Sequence, residues 1–118
     1  MQGKIVDNLI VRTGTAEFSR PVALGRDNSA VMEVWLINDN GSLTTDGVTV
    51  AFQGSNDGIN WTVLGTSVAT TGTSSPAFAT CDRNALIPYS QVRLKFGCTG
   101  GSAVALLDAA LRTYTRNT

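Results

Sequence analysis

From Gln91 to Phe96 the sequence alternates residue by residue, with Val92, Leu94 and Phe96 set against Gln91, Arg93 and Lys95. A period of two gives an extended chain one apolar and one polar face, whereas a helix would scatter the same residues around its axis. Val48 to Gln53 repeats the pattern, with Val48, Val50 and Phe52 on one side and Thr49, Ala51 and Gln53 on the other. Gly54-Ser55-Asn56-Asp57-Gly58 follows, a run of residues that bond their own backbone or accept positive φ. Such turn signals recur at short intervals, as in a chain of short strands joined by hairpins. The expected fold is therefore all-β: one antiparallel β-sandwich of about eight strands, jelly-roll-like, with residues 1–118 as a single domain.

The other segments fit this frame. Lys4 to Val11 is apolar enough for a strand, and residues 1–11 are read as either the first strand or an N-terminal arm, the strand being preferred. Short strands are expected around Ala16 to Phe18 and over Val22-Ala23-Leu24. In Ala30 to Ile37, Val31, Glu33, Trp35 and Ile37 share one face and Met32, Val34 and Leu36 the other. Apolar side chains on both faces predict a central strand in a sheet covered on both sides. Asn40-Gly41 suits a hairpin turn, and Trp61 to Thr66 returns as a strand. Thr70 to Ser75 is expected to be a surface loop, and Ala77 to Thr80 an edge strand. Residues 103–114 would serve as a helix, with Asp108 and Arg112 paired at i, i+4. As a strand, they put Ala105, Leu107, Ala109 and Leu111 on one face, and the Gly100-Gly101 turn before them favours that reading.

Composition then limits function. Nine Lys plus Arg balance nine Asp plus Glu, so no long-range field gathers nucleic acid or an acidic membrane. The chain has no histidine, which excludes Ser-His-Asp and Cys-His catalysis and imidazole ligation of zinc. No apolar run approaches the roughly 18 residues that span a bilayer. Cys81 and Cys98 come without a secretion signal and are read as reduced thiols in a cytosol. The expectation is a protein that is not an enzyme, uses no cofactor or metal, and binds neither nucleic acid nor membrane.

Local constellations offer few sharper leads. Asp39-Asn40, Asp46 and Asn56-Asp57 with Asn60 lack the spacing of a calcium loop and read as turn chemistry. Glu17 and Glu33 fall on separate elements, with nothing to place them as a hydrolytic carboxylate pair. Trp35 is expected to anchor the core, while Trp61 either packs under its turn or presents a surface. Arg93 and Lys95 lie on the wet face of a strand, where they are either solvated or facing carboxylates of a partner.

The segment Val50-Ala51-Phe52-Gln53-Gly54-Ser55-Asn56-Asp57-Gly58-Ile59-Asn60-Trp61-Thr62 resembles a hairpin common in small β-sandwich proteins of tailed-bacteriophage virions. It is also similar to the Ser-x-Asp-Gly-x-x-Trp hairpin of discoidin-type domains. Gln91 to Phe96, followed by Thr99-Gly100-Gly101 and an apolar closing strand, looks like the carboxy-terminal half of the same phage proteins. That resemblance implies a structural virion protein of capsid-decoration (cement) type, made in the host cytoplasm and bound on the capsid surface. Its implied partner is the major capsid protein, and a homo-oligomer, trimer or dimer, is expected. Candidate partner-binding residues are Lys4, Ile5 and Val6 of the terminal segment, Thr71 and Thr73 of the Thr/Ser loop, and Arg93 and Lys95. The alternative is a carbohydrate-binding module of a tail or fibre, in which Trp61 and Tyr89 would stack on sugar.

Overall fold

Every alternating segment becomes a strand, and every ladder is antiparallel. The computed structural model describes residues 4–39, 48–70, 77–80, 87–98 and 103–115, with the backbone alone at 39, 65–70 and 77–80. Its strands are β1 (Lys4–Arg12), β2 (Glu17–Phe18), β3 (Val22–Ala23), β4 (Ser29–Asp39), β5 (Val48–Ser55), β6 (Thr62–Thr70), β7 (Ala77–Thr80), β8 (Gln91–Cys98) and β9 (Val104–Tyr114). One sheet has the order β1-β9-β4-β7, the other β2-β8-β5-β6, with β3 also paired to β8.

β2 and β3 occupy one position. Glu17 and Phe18 face Phe96 and Lys95, and Val22 and Ala23 continue the line opposite Val92 and Gln91. Pro21, which has no N–H to give a ladder, breaks the strand between them. Ser19 bridges the break: its N–H donates to the Leu94 carbonyl and its Oγ accepts the Leu94 N–H, both at 2.9 Å. Counted this way the described residues form eight strands, four to a sheet.

The pairings are nested: β1 with β9, β2/β3 with β8, β4 with β7, and β5 with β6. The chain is thus one long hairpin, turned at residues 56–60 and rolled over on itself. Ladders β4·β9 and β5·β8 join its two arms side by side. This is the jelly-roll arrangement.

The core lies between the sheets. Met32, Val34 and Leu36 of β4, Val50 and Phe52 of β5, Val92, Leu94 and Phe96 of β8, and Leu107 and Leu111 of β9 are each at most 1% exposed. Each such side chain contributes roughly 1.5–3 kcal/mol of transfer free energy. β9 is a strand because β1 and β4 pair with it on either side, an environment that overrides the helix-forming character of its Ala and Leu.

Two expectations are corrected here. β4 is an interior strand, but its second face is not covered by another layer of described residues: Val31, Glu33 and Trp35 are half-buried and Ile37 is 42% exposed. A two-layer sandwich gives each sheet one inner face only. Trp35 is therefore on the outside, above Lys4 and Asp108, and does not anchor the core. The second concerns β6, which runs on to Thr70, beyond the expected end at Thr66. The expected turn at Asn40-Gly41, the loop residues Thr71 and Thr73, and Cys81 lie outside the described residues. Cys98 is buried, its thiol 3.6 Å from the carbonyl oxygens of Val11 and Ala103.

Candidate interaction surface

The outer face of the second sheet is set by register. Gln91, Arg93 and Lys95 of β8 lie opposite Ser55, Gln53 and Ala51 of β5, and Val63 of β6 lies opposite Gln53. Phe18 of β2 lies opposite Lys95. These side chains alternate with the core residues, so they must point away from the first sheet.

At the centre of this face sits the Arg93 guanidinium. Its carbon lies 4.1 Å from the centroid of the Phe18 ring and 4.1 Å from that of Trp61. Phe18 reaches it from β2 on one side, and Trp61 from the start of β6 on the other. Arg93 Nε donates to Gln53 Oε1 at 2.8 Å. Burial draws the guanidinium's pKa below its usual value, while leaving it a cation. Each stacking contact is worth about 0.5–1 kcal/mol at an exposed site, and together they hold a long side chain that would otherwise be mobile.

The neighbouring turn holds Trp61 in place. Asp57 Oδ1 accepts the N–H groups of Ile59 and Asn60, both at 2.8 Å, and Oδ2 accepts Asn60 Nδ2 at 2.8 Å. Ser55 Oγ accepts the N–H of Gly58, whose φ of +75° suits glycine. The Trp61 indole N–H donates to the Gly58 carbonyl at 3.2 Å. The backbone N–H groups of Asn60 and Ile59 hold the Asp57 carboxyl far below the usual carboxylate range. The carboxylate oxygens are thus engaged by the turn's own donors.

Beyond Lys95 the face opens into a shallow groove of about 430 Å³. Thr49, Ala51 and Gly97 form its floor, Val63 one side and the Gly14–Ala16 loop the other. The loop is tightened by Thr15 N–H donating to Arg12 O at 3.2 Å, with Gly14 at φ +83°.

The structure brings Arg93, Lys95 and Trp61 together and separates them from the other candidate residues. Lys4, Ile5 and Val6 belong to β1 in the opposite sheet, paired with β9. Ile5 turns into the core, Val6 is half-buried, and Lys4 Nζ bonds Asp108 Oδ2 at 2.8 Å. Asn8, at φ +54°, donates its N–H to Asp108 Oδ1 at 2.8 Å where β1 slips register. Burial pushes the Asp108 carboxyl up, but the bonds from Lys4 and Asn8 outweigh it and leave it below the ordinary value.

Tyr89 does not stand beside Trp61. It packs against the core on the inner side of β5, so close to Gly54 that a Cβ there would lie 2.6 Å from its Cδ2. The paired sugar-stacking platform is thus corrected: one ring is outside the sheet and the other inside. Phe18 and Gln53 are the members of the face that the sequence reading passed over. Phe18 was detectable as a lone aromatic in the polar stretch before Pro21.

No known family model matches the chain, and no curated protein matches it in sequence. Among solved structures it is similar over 100% of its length to the PBSX exported protein XepA, with a TM-score of 0.67 and 9% identity. The chain covers 38% of XepA. A structure from Bacillus endospore appendages, described as disulfide-linked pili, aligns with 98% of this chain and 88% of its own, at 17% identity and a TM-score of 0.48. At 9% identity the likeness to XepA is one of fold.

Proposed function

We propose that this chain is a structural protein of a tailed-phage particle, a capsid decoration protein that works by binding and stabilises the assembled head shell. The observation that carries the reading is the Phe18–Arg93–Trp61 stack. It is a preorganised cation between aromatic rings on an open sheet face, with Phe18 44% and Val63 54% exposed beside it. Arginine and aromatic residues are enriched at protein–protein interfaces and dominate their binding energy. The fold shared with an exported protein of the phage PBSX supports the phage setting. The partner is then the major capsid protein, on the outside of the shell, and the protein acts as a dimer or trimer. Stabilisation follows from mass action, since a protein that binds the assembled shell more tightly than free subunits shifts the equilibrium toward the shell.

Purified protein mixed with expanded capsids is expected to co-sediment at saturable, fixed stoichiometry and to raise the capsid melting temperature. Failure to co-sediment under any condition overturns the reading. The sugar-binding alternative would instead give saturable glycan-array signals lost in Trp61→Ala. It is the weaker reading, because Arg93 covers Trp61 and Tyr89 faces inward.

A further inference from the structure

We infer that Arg93 and Lys95 form a receptor for a carboxylate of a partner polypeptide, an Asp or Glu side chain whose small or aliphatic neighbours lie in the groove beyond Lys95. The inference deepens the reading of this chain as a protein-binding module, and rests on it.

The first argument is the state of Arg93. Its Nε is engaged by Gln53 and its guanidinium is stacked by Phe18 and Trp61. The two terminal nitrogens have no hydrogen-bond or ion-pair partner among the described residues. The remaining edge is a planar pair of donors in a held orientation, which is the geometry that meets a carboxylate with two parallel bonds. Ordering this side chain has already been accomplished by the fold, so a ligand does not bear that cost.

The second argument is charge. β5, β6 and β8 contain no Asp or Glu, while β8 contributes Arg93 and Lys95. Of the acids on the elements beside them, Glu17 lies opposite the inward-facing Phe96, on the other side of β2 from Phe18. Asp57 is engaged by its own turn. Among the described residues the face is therefore positive with no counter-charge of its own, on a chain whose total is zero.

The third argument selects a polypeptide. Two cations are too few to hold a nucleic-acid backbone, where affinity grows with each neutralised phosphate. Lys95 is two residues from Arg93 on the same face, and the groove begins beside it over Ala51, Gly97 and Val63. Small floor residues and an aliphatic wall suit an extended chain carrying one acidic side chain.

The test uses a capped peptide, acetyl-Ala-Val-Glu-Val-Ala-amide, and its glutamine counterpart, titrated into isotope-labelled protein by NMR. The expected result is saturable shifts at the Arg93 Nε–H and at the Ala51 and Gly97 amides. Affinity should fall about ten-fold for the glutamine peptide and for Arg93→Lys, which keeps charge but loses the fork. Lys95→Gln, at an exposed position, should weaken binding without altering the rest of the spectrum. Equal binding of the two peptides, or binding unchanged in Arg93→Lys, overturns the inference. Expanded capsids separate the two readings. Full capsid binding by Arg93→Lys overturns the carboxylate site and leaves decoration standing. Peptide binding without capsid binding overturns decoration and supports the site.

Discussion

Alanine at Gly54 would place a methyl group where the Tyr89 ring already is. The added Cβ would lie 2.6 Å from Tyr89 Cδ2, 2.9 Å from Tyr89 Cγ and 2.8 Å from Leu64 Cδ1. Ordinary carbon contacts are about 3.5–4.0 Å, so the ring must move by close to an ångström. Tyr89 Cγ is next to the side chain's root, and the ring cannot withdraw without disturbing the end of the core it closes. Overpacking of this kind costs about 1–3 kcal/mol. In a Tyr89→Ala background the ring is gone and the remaining contact is the tip of Leu64, which can rotate away. There Gly54→Ala should cost nothing, or gain about 0.5–1 kcal/mol, because alanine loses less backbone entropy than glycine in a strand. Urea denaturation of the four proteins would give a coupling of about 2 kcal/mol, with m-values unchanged. An equal cost of Gly54→Ala in both backgrounds would refute the reasoning, and with it the assignment of Tyr89 to the inner side of the sheet.

Three further substitutions test separate parts of the structure. Ser19→Ala removes the acceptor of the buried Leu94 N–H and should destabilise by about 1–3 kcal/mol in the same assay. Asp57 has a depressed carboxyl pKa in the folded state, so its contribution to stability is present above the ordinary carboxylate value and is lost as pH falls toward the folded value. Asp57→Asn should therefore flatten the acid limb of the stability–pH curve below about pH 4. Lys4→Met removes the ammonium that bonds the buried Asp108 carboxylate and holds its pKa down, so the carboxyl titration seen by NMR should move to higher pH.

The elements legible in sequence were those whose two faces have different surroundings. β5 and β8 alternate cleanly because each has one face in the core between the sheets and the other on the outside of the sandwich, where Thr49, Ala51, Gln91 and Arg93 are half-buried and Lys95 is exposed. β9 was ambiguous because alanine and leucine serve both a helix and a strand, and the decision comes from β1 and β4, distant in the chain. Trp35 was misplaced for a related reason: alternation identifies two faces but not which has a second layer over it. The site was legible only in part. Arg93 and Lys95 stood out as cations on a wet face, and Trp61 as an aromatic at a turn. Their assembly depended on register across β2, β8, β5 and β6, which brings Phe18 and Gln53 to the same place and takes Tyr89 to the other side.

Net neutrality excluded long-range steering, but it did not mean an even surface. β1, β4 and β9 carry Asp7, Glu33, Asp39 and Asp108 against Lys4, Arg12 and Arg112, whereas β5, β6 and β8 carry Arg93 and Lys95 against no acid. The total cancels at a distance, so approach to a partner should run at an unsteered rate. The local cation matters only at contact, where an ion pair about 3 Å long lies well inside the ~8 Å screening length of physiological salt. Salt and mutation should therefore act on different constants. Raising ionic strength should leave the association rate with expanded capsids within about two-fold. Arg93→Lys should instead act on dissociation, as is usual for groups buried in an interface. A steep fall in association rate with salt would refute the argument that these cations act only at contact.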